Sequence, residues 1–139
     1  MNDAMKIFES ILRKNGDHIT YARKQVFGAL YGKDPQSMNE LYRTLKDEID
    51  RTSIYRAIDL FVRLGIVHKI QIGWKYKLEL SDVFVDHHHH ITCLRCGRVV
   101  AVREDERIET LIAEIARAHH MNSPIHQLEI QGYCERCKT

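Results

Sequence analysis

The sequence feature that most restricts the fold is a run of four histidines, His87–His90, that leads almost directly into Cys93-x-x-Cys96. A second Cys-x-x-Cys pair, Cys134 and Cys137, follows later, and the two pairs use all four cysteines of the chain. Two such pairs are typical of a tetrahedral zinc site with four thiolate ligands. The alternatives are two disulfides or four reduced core thiols, and this spacing in an intracellular protein favours metal over both.

The histidine run predicts further metal ligands on both faces of one strand. If residues 87–93 are extended, their side chains alternate, so His87 and His89 point one way and His88 and His90 the other. One ion cannot easily take both pairs, so the pattern predicts two further sites on opposite sides of the strand. Imidazole is the commonest metal ligand. The alternative is a solvated polar strand that binds no metal.

Charge and histidine content divide the chain into two parts. Residues 1–80 carry 14 Lys/Arg against 10 Asp/Glu, whereas residues 81–139 carry 7 against 9 and hold seven of the nine histidines. This asymmetry suggests a basic half that faces nucleic acid and a half that binds metal. No apolar run approaches the roughly 18 residues of a membrane span, and no signal peptide precedes the charged N-terminus. We therefore expect a cytoplasmic protein with no membrane partner.

Capping signals and apolar spacing in the first part predict four short helices. The first covers residues 4–15, where apolar residues recur at helical spacing. A capping box, Ser37-x-x-Glu40, begins the third helix, and Thr52 or Ser53 can cap the fourth.

Two strands, near residues 66–70 and 74–80, complete this first part as a hairpin. Helices followed by a hairpin predict a winged helix-turn-helix whose recognition helix spans residues 52–64. Arginine and tyrosine on its exposed face suit phosphate and base-edge contacts. The predicted donors near that face are Arg51, Ser53, Tyr55, Arg56 and Arg63. The alternative is a plain helical core with a solvated basic face.

The second part predicts a small sheet with one helix. Strands are expected at residues 91–93, 98–102 and 125–130, and a helix at residues 105–119. Such a unit is too small to bury much core alone, so its apolar edges predict a homodimer. Two-fold symmetry would present two recognition helices to a palindromic double-stranded DNA operator.

The fold class expected is therefore α+β. An N-terminal winged helix-turn-helix domain, residues 1–82, precedes a small α/β dimerisation domain, residues 83–139, that carries the four-cysteine zinc site.

Several motifs in this order make the chain resemble the ferric uptake regulator (Fur) family nearly from end to end. The family comprises dimeric, metal-responsive repressors with an N-terminal winged helix and a C-terminal dimerisation domain. The motifs are Thr20-x-x-Arg23, Thr52-Ser53-Ile54-Tyr55-Arg56-Ala57, the histidine run with Cys93-x-x-Cys96-Gly97, and His126-x-x-Glu129-Ile130-x-Gly132-x-Cys134-x-x-Cys137.

The resemblance implies roles for individual residues. It implies a structural zinc ion on Cys93, Cys96, Cys134 and Cys137. It implies a regulatory site at the hinge on His68, Glu79, His88 and His90. It pairs Glu109 and His126 with His87 and His89 in a second site of the dimerisation domain. It places Tyr55 and Arg56 at operator-contacting positions, and the predicted DNA-binding set is Arg23, Arg51, Ser53, Tyr55 and Arg56.

Departures from the family pattern leave the regulatory metal open. Iron-type members usually have Asp at the position of His89, His at the position of Pro35 and a carboxylate at the position of Ala101. Zinc sensors commonly have Cys at the position of Glu79. The regulatory site here has only nitrogen and oxygen ligands, which suit Zn²⁺, Fe²⁺ and Mn²⁺ alike.

The predicted function is a metal-dependent repressor that controls metal-ion homeostasis in response to Zn²⁺ or Fe²⁺. One alternative is a peroxide sensor, which oxidises a histidine bound to Fe²⁺. Alternatives from another class are a zinc metalloenzyme and a zinc-ribbon adaptor without DNA binding. The sequence contains no His-Glu-x-x-His, so we expect no enzyme.

Overall fold

The computed structural model describes residues 1–122 and 124–138, and the chain forms two compact units. We call them the N-terminal unit, Met1–Asp86, and the C-terminal unit, His87–Thr139. The expected α+β class is confirmed. The elements in chain order are α1 (Asn2–Lys14), α2 (Tyr21–Leu30), α3 (Met38–Leu45), α4 (Arg51–Arg63), β1 (Val67–Ile72), β2 (Lys75–Leu80), β3 (His88–Cys93), β4 (Val99–Arg103), α5 (Glu106–Ala118), β5 (Glu129–Gly132) and a 3-10 turn, Glu135–Cys137.

No helix within residues 1–122 and 124–138 is long and apolar enough to cross a membrane.

Side-chain caps determine where the helices of the N-terminal unit begin. Thr20 caps α2 by accepting a hydrogen bond from the backbone N–H of Arg23. The predicted capping box of α3 is present, because Ser37 accepts from the Glu40 N–H while Glu40 accepts from the Ser37 N–H. Each cap satisfies N–H groups that have no partner inside the helix.

The start of α4 differs from the sequence expectation. Asp50 is the N-cap, so Thr52 and Ser53 lie inside the first turn of the helix. The Asp50 carboxylate accepts from the Ser53 N–H at 3.0 Å and from its hydroxyl at 2.7 Å. These hydrogen bonds lower the pKa of Asp50. A carboxylate at this position also interacts favourably with the helix dipole.

An aromatic cluster forms the centre of the N-terminal core. The rings of Phe8 and Phe27 stack with centroids 4.5 Å apart, and Phe61 meets Phe8 edge-on at 5.2 Å. All three side chains are fully buried. Phe84, which follows the last strand of this unit, packs edge-on against Phe27 at 5.0 Å. Consequently the segment 81–86, where the sequence places the domain boundary, contributes to the N-terminal core.

The wing is the antiparallel hairpin of β1 and β2. His68 lies opposite Glu79 in its register, and Ile72 lies opposite Lys75. Gly73 turns the chain with a φ of +61°, a conformation that glycine adopts at little cost. Trp74, beside this glycine, is 99% exposed.

The C-terminal unit contains a three-stranded sheet in the order β4-β3-β5. Strand β3 pairs antiparallel with β4 and parallel with β5. The expected strand over residues 125–130 is wrong in extent, because only Glu129–Gly132 pairs with β3. The preceding residues carry His126 toward Glu109 instead. The sequence Ser123-Pro124 also predicts a break in the chain before this strand, and Ser123 lies outside the described residues.

Candidate metal centres and DNA-binding helix

The four cysteines converge in the C-terminal unit. Their sulfur atoms all lie within 4.8 Å of one another, and all four are free of disulfides. Cys93 ends β3 and Cys96 lies in the turn after it, whereas Cys134 and Cys137 follow β5. Gly97 closes the first turn with a φ of +75°. The Sγ atoms of Cys96 and Cys134 are 3.9 Å apart. Tetrahedral Zn–S bonds of about 2.3 Å place sulfurs roughly 3.8 Å apart, so the donor set fits zinc.

Hydrogen bonds and crowding move the pKa values of these thiols in opposite directions. Backbone N–H groups of Cys134 and Cys96 lower the pKa of Cys93 to about 6. Hydrogen bonding to Cys134 and burial raise the pKa of Cys137 to about 12. Crowded sulfurs cannot all become thiolates unless a cation compensates their charge. Cys93 is therefore readily deprotonated before metal binds, whereas Cys137 needs the charge of a metal ion to lose its proton.

A second ligand set joins β3, α5 and the segment before β5. One nitrogen from each of three histidines and one Glu109 oxygen lie within 4.8 Å of one another. His89 Nε2 is 2.6 Å from Glu109 Oε1, and His126 Nε2 is 2.8 Å from Oε2. His87 Nε2 lies 3.2 Å from Oε1 and 3.1 Å from His126 Nε2. Three imidazoles and a carboxylate form a complete set for a divalent transition metal.

The environment of Glu109 favours its ionised form. Burial raises the pKa of Glu109, but the hydrogen bond with His89 and the charges of His126 and His87 outweigh it, so the pKa is lowered. His89 is 2% exposed, and its Nδ1 is a buried atom without a hydrogen-bond partner among the described residues. Such a buried polar group is costly to the fold, which is a feature typical of functional sites.

The other two histidines of the run face a different neighbourhood. The rings of His88 and His90 lie edge to face with centroids 4.7 Å apart. His90 is 3% exposed, and its Nδ1 is 3.3 Å from Oε1 of Glu129 on β5. His87 and His89 thus lie at Glu109, whereas His90 lies beside Glu129 and His88 packs against His90.

In the N-terminal unit, His68 and Glu79 form a pair across the wing. Their opposition in the hairpin register brings His68 Nε2 to 3.3 Å from Glu79 Oε2. Both side chains are largely buried, at 23% and 10% exposure. An imidazole and a carboxylate in this arrangement can supply two ligands to one ion.

The exposed face of α4 carries the predicted DNA-contacting side chains. Tyr55 is 40% exposed, and Arg51 and Arg56 are also exposed. The Arg51 guanidinium lies over the Tyr42 ring, 4.1 Å from its centroid, which limits its motion. Arginine and tyrosine donors on one helix face can contact phosphates and base edges.

Two residues of the predicted DNA-binding set have structural partners. Ser53 uses its N–H and hydroxyl to hold the Asp50 cap. Arg23 donates a hydrogen bond to the His18 carbonyl and lies 4.0 Å from Asp17. Their DNA-binding role stays a prediction, whereas their contacts within the protein are visible.

Sequence reasoning did not assign a role to Asp50 or to Glu129. The signal for Asp50 is its position three residues before Ser53, which is a common capping distance. For Glu129 the sequence offers no local signal, because it is the parallel pairing of β5 with β3 that places it opposite His90.

Comparison with known proteins agrees with these features. Residues 14–131 match the model of the ferric uptake regulator family. Over 130 residues the chain is 34% identical to the ferric uptake regulation protein of Shigella flexneri, covering 88% of this chain and 85% of that protein.

Two solved structures are similar along most of the chain. The Vibrio cholerae ferric uptake regulator matches with a TM-score of 0.70 and 31% identity, covering 88% of this chain and 96% of that one. A zinc-bound manganese uptake regulator matches with a TM-score of 0.63 and 28% identity, covering 91% and 97%. These relatives are named for different metals, so similarity alone does not fix the metal of this chain.

A winged helix followed by a unit that gathers metal ligands defines a metal-responsive transcription regulator. The chain belongs to the ferric uptake regulator family.

Proposed function

We propose that the chain is a homodimeric, metal-dependent repressor that binds a palindromic operator and controls metal-ion homeostasis in response to Zn²⁺ or Fe²⁺. The observation that carries this proposal is the arrangement of β3, which directs His87 and His89 to Glu109 and sets His90 beside Glu129. One strand thereby serves two separate ligand sets close to the four cysteines.

The structural site takes zinc on Cys93, Cys96, Cys134 and Cys137. Its support is the convergence of the four sulfurs within 4.8 Å. Four thiolates form a closed coordination shell, which is typical of structural rather than catalytic zinc. The second site takes a divalent ion on the His87, His89, Glu109 and His126 set, whose donors suit Zn²⁺, Fe²⁺ and Mn²⁺.

The regulatory site takes ligands from both units. Its proposed ligands are His68 and Glu79 from the wing and His88 and His90 from β3. Support comes from each unit by itself, since each pair is already formed there. A ligand pair that is held in place before metal arrives loses little entropy on binding.

Regulation requires that metal bind the DNA-competent arrangement more tightly than the others. Raising the competent fraction from a few per cent to nearly all needs a difference of about 4–5 kcal/mol. Two ligands from each of two units can supply a difference of this size, because the full set exists only when both units contribute. The repressor would then bind its operator when metal is abundant.

Operator reading is assigned to the exposed face of α4. Tyr55 and Arg56 project from the first turns of that helix, which is the part that enters the major groove in helix-turn-helix proteins. Phosphate contacts from basic residues should make affinity fall as salt rises.

Dimerisation is assigned to the apolar surface of the C-terminal unit. Ile91 lies opposite both Val100 and Ile130 in the sheet register, and all three are 41–48% exposed. Leu111 and Ile115 on α5 are 56% and 54% exposed. Exposed apolar side chains on neighbouring strands and on a helix are typical of a protein interface, and a second copy of the chain would cover them.

The test is a titration of fluorescent operator DNA with the protein at controlled free Zn²⁺, Fe²⁺ and Mn²⁺. Wild-type protein should bind tightly only above a threshold of one or more of these ions. The double variant His88→Ala with His90→Ala should lose the metal response, because it removes two regulatory ligands. Tyr55→Ala with Arg56→Ala should weaken binding by about 2 kcal/mol or more while metal content stays unchanged.

Lys14→Ala, a change of one exposed basic residue outside α4, serves as the control for loss of charge. A metal response that survives the double histidine change would refute the regulatory assignment. Binding that depends on Fe²⁺ and is abolished by peroxide, with an oxygen atom added to a histidine, would identify the peroxide sensor instead.

A further inference from the structure

Glu129 is a carboxylate beside a proposed metal ligand, and the motif that contains it assigns it no role. Parallel pairing sets it directly opposite His90, and its Oε1 lies 3.3 Å from His90 Nδ1. We propose that Glu129 is a positioning residue that keeps the proton of His90 on Nδ1 and thereby presents Nε2 to the regulatory ion. This inference rests on the proposed function, since it takes His90 as a regulatory ligand.

The chemistry of the contact determines the tautomer. An ionised carboxylate can only accept hydrogen bonds, and a neutral imidazole has one N–H and one nitrogen with a lone pair. When Glu129 accepts from Nδ1, the lone pair is left on Nε2. Histidines that bind metals usually donate their other N–H to a carboxylate or carbonyl, which fixes the ring and increases its basicity.

The other histidines of the C-terminal unit support this division of roles. The Glu109 carboxylate is approached by the Nε2 atoms of three histidines, His87, His89 and His126. Its oxygens and these three nitrogens could therefore bind the same ion. Glu129 approaches the opposite nitrogen, Nδ1. The two carboxylates therefore have different proposed roles. Glu109 is itself a candidate metal ligand, whereas Glu129 contacts the nitrogen of His90 that does not bind the ion.

The burial of His90 and Glu129 indicates that their contact is not kept for stability. His90 is 3% exposed, and the Glu129 side chain is 22% exposed. Glu129 Oε2 is buried and has no hydrogen-bond partner among the described residues. Burying a carboxylate oxygen without a donor destabilises a fold, so the stability of the sheet does not account for Glu129.

The experiment combines nitrogen NMR of the imidazoles with metal titration on the full chain. In metal-free wild-type protein, His90 should carry its proton on Nδ1, and in the Zn²⁺-loaded protein Nε2 should be coordinated while Nδ1 stays protonated. Glu129→Ala should move the proton to Nε2 and weaken Zn²⁺ binding at the regulatory site by about 10- to 100-fold. Glu129→Gln keeps an acceptor oxygen, so it should restore the tautomer and part of the affinity.

Glu114→Gln removes an exposed carboxylate of the same unit and serves as the control for charge, with no change expected in tautomer or affinity. Coordination of His90 through Nδ1, or a Glu129→Ala variant with unchanged tautomer and affinity, would overturn the inference. His90→Ala separates the two levels of the argument. If it leaves the number of bound ions unchanged, the ligand assignment fails and this inference with it; if it removes one ion while Glu129→Ala has no effect, this inference alone fails.

Discussion

The two units bury different kinds of side chains. Nearly all the buried apolar residues in the described chain belong to the N-terminal unit, and the C-terminal unit contributes only Cys93 and Ala116. Conversely, the buried polar residues, His89, His90 and Thr92, all lie in the C-terminal unit. One unit is thus built around a hydrocarbon core and the other around ligands.

This difference indicates that the stability of the C-terminal unit depends more on what it binds than that of the N-terminal unit. An aromatic core stabilises its unit without cofactors, because burial of apolar surface is the main favourable contribution to folding. A unit of some fifty residues that buries few apolar side chains gains little from this contribution, so we expect its stability to depend on the proposed metal ions and on a second copy of the chain. Sensitivity to metal would then follow from the composition of the C-terminal unit, whereas the proposed DNA-contacting helix α4 belongs to the unit with the hydrocarbon core.

The largest effect that would test this contrast is removal of the structural zinc. We expect Cys93→Ser, or a strong chelator, to abolish protection from hydrogen exchange throughout the C-terminal unit, because metal binding there is coupled to folding. The N-terminal unit of the same molecules should keep its protection and acts as the internal control. The measurement is hydrogen exchange followed by mass spectrometry on the full chain. Protection that persists in residues 88–118 without zinc would contradict the contrast.

Local spacing explains why the clustering of candidate ligands near β3 and in the two Cys-x-x-Cys pairs could be predicted. Alternation in an extended strand separates neighbouring imidazoles, and Cys-x-x-Cys is a pattern contained within four residues. Glu109 and His126 could not be placed this way, because helix α5 and a non-strand segment bring them to His89 from distant positions. Only family resemblance linked them beforehand.

The two wrong expectations, the cap of α4 and the extent of β5, have different origins. Residue type alone allows Asp50, Thr52 or Ser53 to cap α4, and the local signal that favours Asp50 is its position three residues before Ser53. The extent of β5 was misjudged because a parallel strand is defined by its partner, and pairing with β3 begins only at Glu129. Sequence thus predicts elements, caps with a local motif such as Ser37-x-x-Glu40, and the spacing of candidate ligands, whereas strand register depends on tertiary contacts.

The next largest effect concerns the hydrocarbon core. Phe27→Ala should lower the free energy of unfolding of the N-terminal unit by about 3–5 kcal/mol, because it leaves a cavity between Phe8 and Phe84. Zinc content and exchange protection of the C-terminal unit should stay unchanged. Trp74→Ala, which changes a fully exposed ring, is the control and should alter stability by no more than about 0.5 kcal/mol. Hydrogen exchange under increasing denaturant measures both units, and equal destabilisation of the two would show that they fold as one.

The smallest expected effect separates an exposed residue at an interface from one at a free surface. Ile115 on α5 and Ile7 on α1 are both partly exposed isoleucines on helices, at 54% and 43%. If a second copy covers the C-terminal unit, Ile115→Ser removes apolar contacts from each protomer and should weaken dimerisation by about 1.4–2.8 kcal/mol, or roughly 10- to 100-fold. Ile7→Ser, in the unit that already has its own core, should leave the dimer unchanged. Analytical ultracentrifugation across a concentration series measures both variants, and equal dissociation constants for the two would place the dimer contact somewhere other than α5.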